Sequence, residues 1–159
     1  MLSKSFELKV ALKAPPEKVY EALTTERGVK GWWTQDCELG DKVGDKAVFR
    51  FGTMVDVMRI DALDRGRAVR WHVLEQHNHL SDIMADNTEW VGTDIVFALT
   101  ANADGGTDLH FRHEGLTPDL ACYQICNDGW NHFMKASLPR FLEQGIGRPF
   151  QAKASAEAS

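Results

Sequence analysis

Along FELKVALK, apolar Phe6, Leu8, Val10 and Leu12 alternate with Glu7, Lys9, Ala11 and Lys13. A period of two turns one row of side chains inward, so this segment predicts a half-buried strand. It ends at Ala14-Pro15-Pro16, and proline at a helix entrance leads into EKVYEALTT, where Val19, Ala22 and Leu23 share one face. Thr25 is placed to cap a second short helix through ERGVKG, in which Gly28 and Gly31 loosen the chain before the adjacent Trp32 and Trp33.

From about Asp36 to Glu114 the pattern becomes short β-rich runs: CEL, KAVFRF, VDVMRIDAL, AVRWHVLE, WVGTDIVFALTA and TDLHFRHE. Turn residues separate them at Gly40 to Gly44, Gly52-Thr53, Asp64-Arg65-Gly66 and Asp104-Gly105-Gly106, which predicts a meander of antiparallel hairpins. The polar stretch between Gln76 and Glu89 exceeds an ordinary hairpin loop and reads either as a mobile rim loop or as an extended hairpin.

At Thr117-Pro118-Asp119 a cap, a first-turn proline and an acid at the positive end of the helix dipole predict the start of a long helix. Cys126, Trp130, Phe133, Met134, Leu138, Phe141 and Leu142 form its apolar stripe, and Gly145 suits a left-handed cap. Pro139 has no N–H and crowds the carbonyl of Lys135, so a kink or local opening is expected there.

The chain of 159 residues suits one core, which is assigned to a single domain over 1–148. Residues 149–159 are expected to be a flexible tail, because from Gln151 onward QAKASAEAS offers nothing bulky to anchor it. A hydrophobic share of 43% with 26% charged residues fits a folded globular protein. Eighteen basic against 23 acidic residues give −5, the wrong sign for holding a phosphate backbone, so no nucleic-acid partner is expected.

No stretch approaches the roughly 20 apolar residues of a membrane span, and MLSKSFELKV lacks a secretory core. No membrane partner and a cytoplasmic location are expected. The three cysteines, Cys37, Cys122 and Cys126, are odd in number with the last two spaced CxxxC, which reads as structural thiols.

If the strands pair as a twisted sheet, Phe49 and Phe51, Val69, Trp71 and Val73, Ile95, Phe97 and Leu99, and Leu109, Phe111 and His113 point to one side. The helix stripe centred on Trp130 and Met134 is the partner for that concave wall. A curved sheet meets a cylinder along one line, so space is expected beside the helix, roofed by Trp32 and Trp33.

The order of a strand, two short helices, a meander and a long terminal helix resembles the α+β helix-grip (START/Bet v-like) fold of the START-like, or SRPBCC, superfamily. That fold is a curved antiparallel sheet of about seven strands wrapped on the C-terminal helix. PPEKVYEALTT, GWW, VRWHV, WVGTDIVFALT, GTDLHFRHEGL and NDGWNHFMKASLPRFLEQG resemble the branch named for activators of the ninety-kilodalton heat-shock chaperone ATPase. The resemblance spans Phe6 to Gly145. It implies a hydrophobic cavity between helix and sheet, with Trp71, Phe97, Phe111, His113 and Trp130 as pocket positions and no shared catalytic set. Chaperone activators of the branch usually carry a further amino-terminal domain, so the resemblance favours ligand binding over co-chaperone activity here.

His113 has three roles open to it: a neutral, hydrogen-bonded wall residue, a ligand contact, or a general acid or base. Glu114 follows it and points the other way in a regular strand, against a simple catalytic pair. His77 and His79, with Asp82 and Asp86 nearby, outline a metal site on paper, but no third ligand sits at an established spacing and a solvated rim is the reading adopted. Cys122, Cys126 and His132 do not assemble a zinc site either.

Trp32, Trp33, Trp71, Trp90 and Trp130 are many large rings for one small domain, and they either fill the core or line a cavity for aromatic or lipid-like ligands. No phosphate-binding glycine loop, HExxH or GxSxG is present. The expected function is binding of a small hydrophobic or aromatic molecule without a cofactor. An enzyme using the same cavity, or a chaperone-linked interaction protein, is the alternative. A homodimer is compatible with the open sheet edges.

Overall fold

The computed structural model describes residues 5–77 and 89–151. Strand β1 (Phe6–Leu12) leads into α1 (Pro16–Thr24), which takes proline in its first turn and buries Val19, Ala22 and Leu23. The Thr25 hydroxyl accepts the Gly28 N–H at 3.0 Å and so caps α2 (Glu26–Trp32). Gly28 is where the two helices touch: a Cβ there would stand 2.5 Å from the Ala22 carbonyl oxygen.

Strands β2 (Asp36–Leu39), β3 (Lys46–Phe51), β4 (Met54–Asp64), β5 (Ala68–His77), β6 (Asp94–Ala101) and β7 (Thr107–Glu114) follow. With β1 they make one antiparallel sheet of seven strands in the order β1-β7-β6-β5-β4-β3-β2. The predicted inward rows on β3, β5, β6 and β7 are buried, with Phe51 half-buried at the rim.

Two register shifts between β4 and β5, at Val57/Met58 and Ile60/Ala62, bend the sheet. The first also reverses the phase of β5. Strict alternation after Val69, Trp71 and Val73 would send Glu75 and His77 inward. The extra residue instead turns Gln76 in, opposite Asp56. The run predicted as a strand from Trp90 is one only from Asp94, because Trp90 to Thr93 forms a turn with Gly92 at φ +88°. Of the polar stretch, Gln76 and His77 belong to β5, and residues 78–88 lie outside the described residues.

The terminal helix begins at Tyr123 rather than at Thr117. Thr117 gives its hydroxyl to the Asp119 carboxylate, and the backbone up to Tyr123 makes three-residue turns. The cap comes from outside: the Glu89 carboxylate accepts the N–H groups of Ala121 and Cys122 at 3.1 and 3.0 Å. Helix α3 (Tyr123–His132) then runs through one wider π turn, Phe133–Ser137, into α4 (Leu138–Gln144).

That turn is the local opening expected from Pro139, whose missing N–H falls in the first turn of α4. Gly145 closes α4 at φ +81°. Phe150, assigned from the sequence to the flexible tail, is seated instead. Its N–H donates to the Trp33 carbonyl at 2.7 Å and its ring packs on Phe51 at 5.6 Å. Among the described residues no helix is long and apolar enough to cross a membrane.

Candidate ligand hollow

The centre of the sheet–helix interface is filled by the protein's own rings. Trp33 stacks on Trp32, Trp71 and Trp130 at 5.7, 5.8 and 5.4 Å and meets Phe49 at 4.5 Å. Phe97 bridges Trp71 and Phe111 at 5.1 and 5.3 Å, and Phe111 reaches Trp130 at 4.5 Å. Trp32 also donates its indole N–H to the Ala22 carbonyl at 2.8 Å, joining α2 to α1. The space expected beside the helix, under Trp32 and Trp33, is therefore closed where Trp32, Phe49, Trp71, Phe97, Phe111 and Met134 pack. Aromatic bulk on both layers compensates the mismatch between curved sheet and cylinder.

Among the described residues, an apolar hollow of about 130 Å³ lies between α3 and the β3–β4 hairpin. Of the residues read from the sequence, Trp33, Phe51, Trp90 and Trp130 line it. The remaining wall is Met54 and Asp56 from β4, Ile125, Cys126 and Gly129 from α3, and Phe133 just beyond. Cys126 and Phe133 were legible on the helix stripe. Asp56 was legible only in phase with Met58 and Ile60, a row the sequence reading left out. At Gly129 an added Cβ would meet no atom within 4 Å, so this glycine leaves part of the hollow empty.

His113 is fully buried beside the hollow. The Trp130 indole N–H, which can only donate, points at His113 Nδ1 at 3.1 Å, so that nitrogen is the acceptor. The proton of the neutral ring then sits on Nε2 and is donated to the Thr93 hydroxyl at 2.8 Å, which in turn donates to the Trp90 carbonyl at 2.6 Å. This chain holds β7, the Trp90 turn and α3 together, with the Trp90 ring edge-on to His113 at 4.7 Å.

A second polar chain lies on the β4 side. Gln76 donates to Asp56 at 2.9 Å and accepts the Trp90 N–H at 2.9 Å, which fixes the amide orientation and the approach of Trp90. Asp56 is only 2% exposed, a carboxylate in an otherwise apolar and aromatic wall.

The Trp90 indole N–H donates to Cys126 Sγ at 3.3 Å. A hydrogen bond from Cys122 and this one from Trp90 hold the Cys126 thiol below its ordinary pKa although burial opposes them. Burial pushes the Cys37 thiol, on β2, up to about 11.

His77 pairs with Glu75 at 2.9 Å, while His79, Asp82 and Asp86 lie outside the described residues. Asp61, His72 and Asp94, on the outer face of the sheet, bring ligand atoms within 4.8 Å of one another, a grouping that strand spacing alone did not reveal. Arg59 already pairs with Asp61 at 2.6 Å, and Arg70 pairs with Asp94. The group is therefore an ion-pair network whose carboxylates are neutralised by arginines.

Seven antiparallel strands closed by a carboxy-terminal helix, with an apolar hollow beside it, define the helix-grip class of the START-like superfamily. Within it, residues 13–143 match the family model described as activator of Hsp90 ATPase homolog 1-like protein, and the chain belongs to that family.

The chain is similar to the dimeric Aha1 from Colwellia psychrerythraea, solved in solution. The two are 31% identical, with a TM-score of 0.74 over 91% of this chain and 99% of that one. DynU16, a putative protein in the dynemicin biosynthetic locus, is 20% identical with a TM-score of 0.69, over 92% of this chain and 49% of its own. An HSP90 activator from Plasmodium falciparum is 15% identical with a TM-score of 0.64, over 89% and 96%. The last two likenesses concern the fold alone. No curated protein matches the chain.

Proposed function

We propose that the protein binds a small apolar, single-ring aromatic molecule in the hollow between α3 and the β3–β4 hairpin. The observation that carries this reading is an aromatic wall left unfilled at Gly129. Its volume of about 130 Å³ compares with the roughly 150 Å³ of an apolar cavity known to take a benzene ring. Binding is driven by removing apolar ligand surface from water, at about 25 cal/mol per Å², and requires no cofactor. Both His113 ring nitrogens are committed to Thr93 and Trp130, which speaks against acid or base work at that residue.

Titration with 4-(dimethylamino)benzonitrile, a neutral single-ring dye whose fluorescence depends on polarity, tests the reading. Saturable fluorescence enhancement is expected for the native chain and its loss for Gly129→Leu, which fills the hollow. Equal uptake by a folded Gly129→Leu variant overturns it.

A chaperone-linked role is the second reading. It is supported by the family description and by two exposed apolar side chains near the hollow, Val91 and Ile125, at 44% and 41% exposure. Stimulation of an Hsp90-type ATPase, lost on Val91→Asp/Ile125→Asp, is its test. A second copy as partner draws support from the dimeric Colwellia relative, and sedimentation velocity measures it.

A further inference from the structure

We propose that Cys126 is a peroxide-reactive thiol on the wall of the hollow, that Cys122 is its resolving partner, and that the oxidant is an organic hydroperoxide bearing an apolar group. This rests on the hollow being a ligand site. Three observations meet at Cys126. It lines the hollow. It accepts the Trp90 indole N–H at 3.3 Å, a donor that stabilises charge on sulfur. It also stands one helical turn after Cys122, with its N–H on the Cys122 carbonyl at 2.8 Å, so both buried thiols fall on one helix face.

The thiol environment agrees with the geometry. Hydrogen bonds from Cys122 and Trp90 lower the pKa of Cys126, whereas Cys37 in the same chain is raised to about 11. Cys126 therefore has the larger thiolate fraction near neutral pH, and the thiolate is the nucleophile.

In the first step the Cys126 thiolate attacks the distal oxygen of ROOH. The O–O bond breaks, its electron pair leaves with RO⁻, which takes a proton to become ROH, and Cys126 becomes a sulfenic acid. In the second, the Cys122 sulfur attacks the sulfenic sulfur and expels hydroxide, which leaves as water with the Cys122 proton. Two thiols and ROOH thus give a disulfide, ROH and water. Residues one turn apart have Cβ atoms about 5–6 Å apart, and a disulfide needs about 3.8 Å. Cys122 is the cap residue of α3, preceded by non-helical turns that absorb the shift.

The test exposes the reduced full chain to cumene hydroperoxide or to hydrogen peroxide, alkylates the remaining thiols and maps them by peptide mass. A Cys122–Cys126 linkage is expected while Cys37 stays alkylable, with cumene hydroperoxide faster than hydrogen peroxide by about tenfold or more. Cys122→Ser should stop at a sulfenic acid on Cys126, trapped by dimedone. Gly129→Leu should abolish the preference for the apolar peroxide. Oxidation of Cys126 no faster than that of Cys37, or no preference for cumene hydroperoxide, overturns the proposal. Dye uptake by the native chain separates the two failures: dye binding with an inert Cys126 removes the thiol chemistry alone, and absent dye binding removes the hollow as a ligand site.

Discussion

Two glycine-to-alanine changes, both in helices, should move stability in opposite directions. Gly129 lies inside the ten-residue α3, where replacing glycine by alanine stabilises by about 0.8–1.0 kcal/mol. The added Cβ meets no atom within 4 Å, so nothing offsets that gain. For a chain of this size it corresponds to a rise in Tm of about 2–4 °C.

Gly28 in α2 offers the same propensity gain, but its added Cβ lands 2.5 Å from the Ala22 carbonyl oxygen and 2.6 Å from the Ala22 Cα. Those are backbone atoms and cannot swing away. Overpacking costs about 1–3 kcal/mol when side chains can adjust, and rigid backbone adjusts less, so Gly28→Ala should lower Tm. Gly129→Leu extends the same logic into the hollow: it should fold and lose at least about tenfold in dye affinity, equivalent to 1.4 kcal/mol. Thermal melts followed by circular dichroism, with dye titrations on the same samples, give all three values. Destabilisation by Gly129→Ala would mean that the space beside α3 is occupied, and the reasoning from hollow to ligand would fail.

Thr93→Val keeps the shape but removes the acceptor of the His113 Nε2 proton, and urea denaturation should show a loss of about 1–3 kcal/mol. A change under about 0.5 kcal/mol would refute the tautomer assigned to His113. Ser137→Ala deletes a donor to the Trp32 carbonyl and the acceptor of the Arg148 N–H. A similar loss of about 1–3 kcal/mol is expected, together with faster amide exchange at Arg148.

The hydrogen bond from Arg59 holds the Asp61 carboxyl below its ordinary 3.8. The unfolded chain therefore binds the proton first. This stabilisation is present above about pH 3.8 and is lost as pH falls through the lower folded value. The stability gap between the native chain and Asp61→Asn should narrow over that acid range in pH-dependent denaturation.

The local pattern by itself determined the strand and helix inventory, the inward rows of β3, β5, β6 and β7, the Thr25 and Gly145 caps and the opening before Pro139. Each is set by neighbours within a turn or a strand, and a period of two or a missing N–H acts at that range. Three features were decided by contacts between distant segments. The register shift in β5 that turns Gln76 to Asp56 depends on pairing with β4, and alternation cannot count a bulge. The start of α3 at Tyr123 depends on a carboxylate from Glu89, 34 residues earlier than Tyr123, which local capping residues cannot reveal. How much of the interior stays empty depended on how the rings of Trp33, Trp71, Phe97, Phe111 and Trp130 interlock. Hydrophobicity marks these residues as inward, but only their relative orientation fixes whether they touch one another or leave the space beside Gly129.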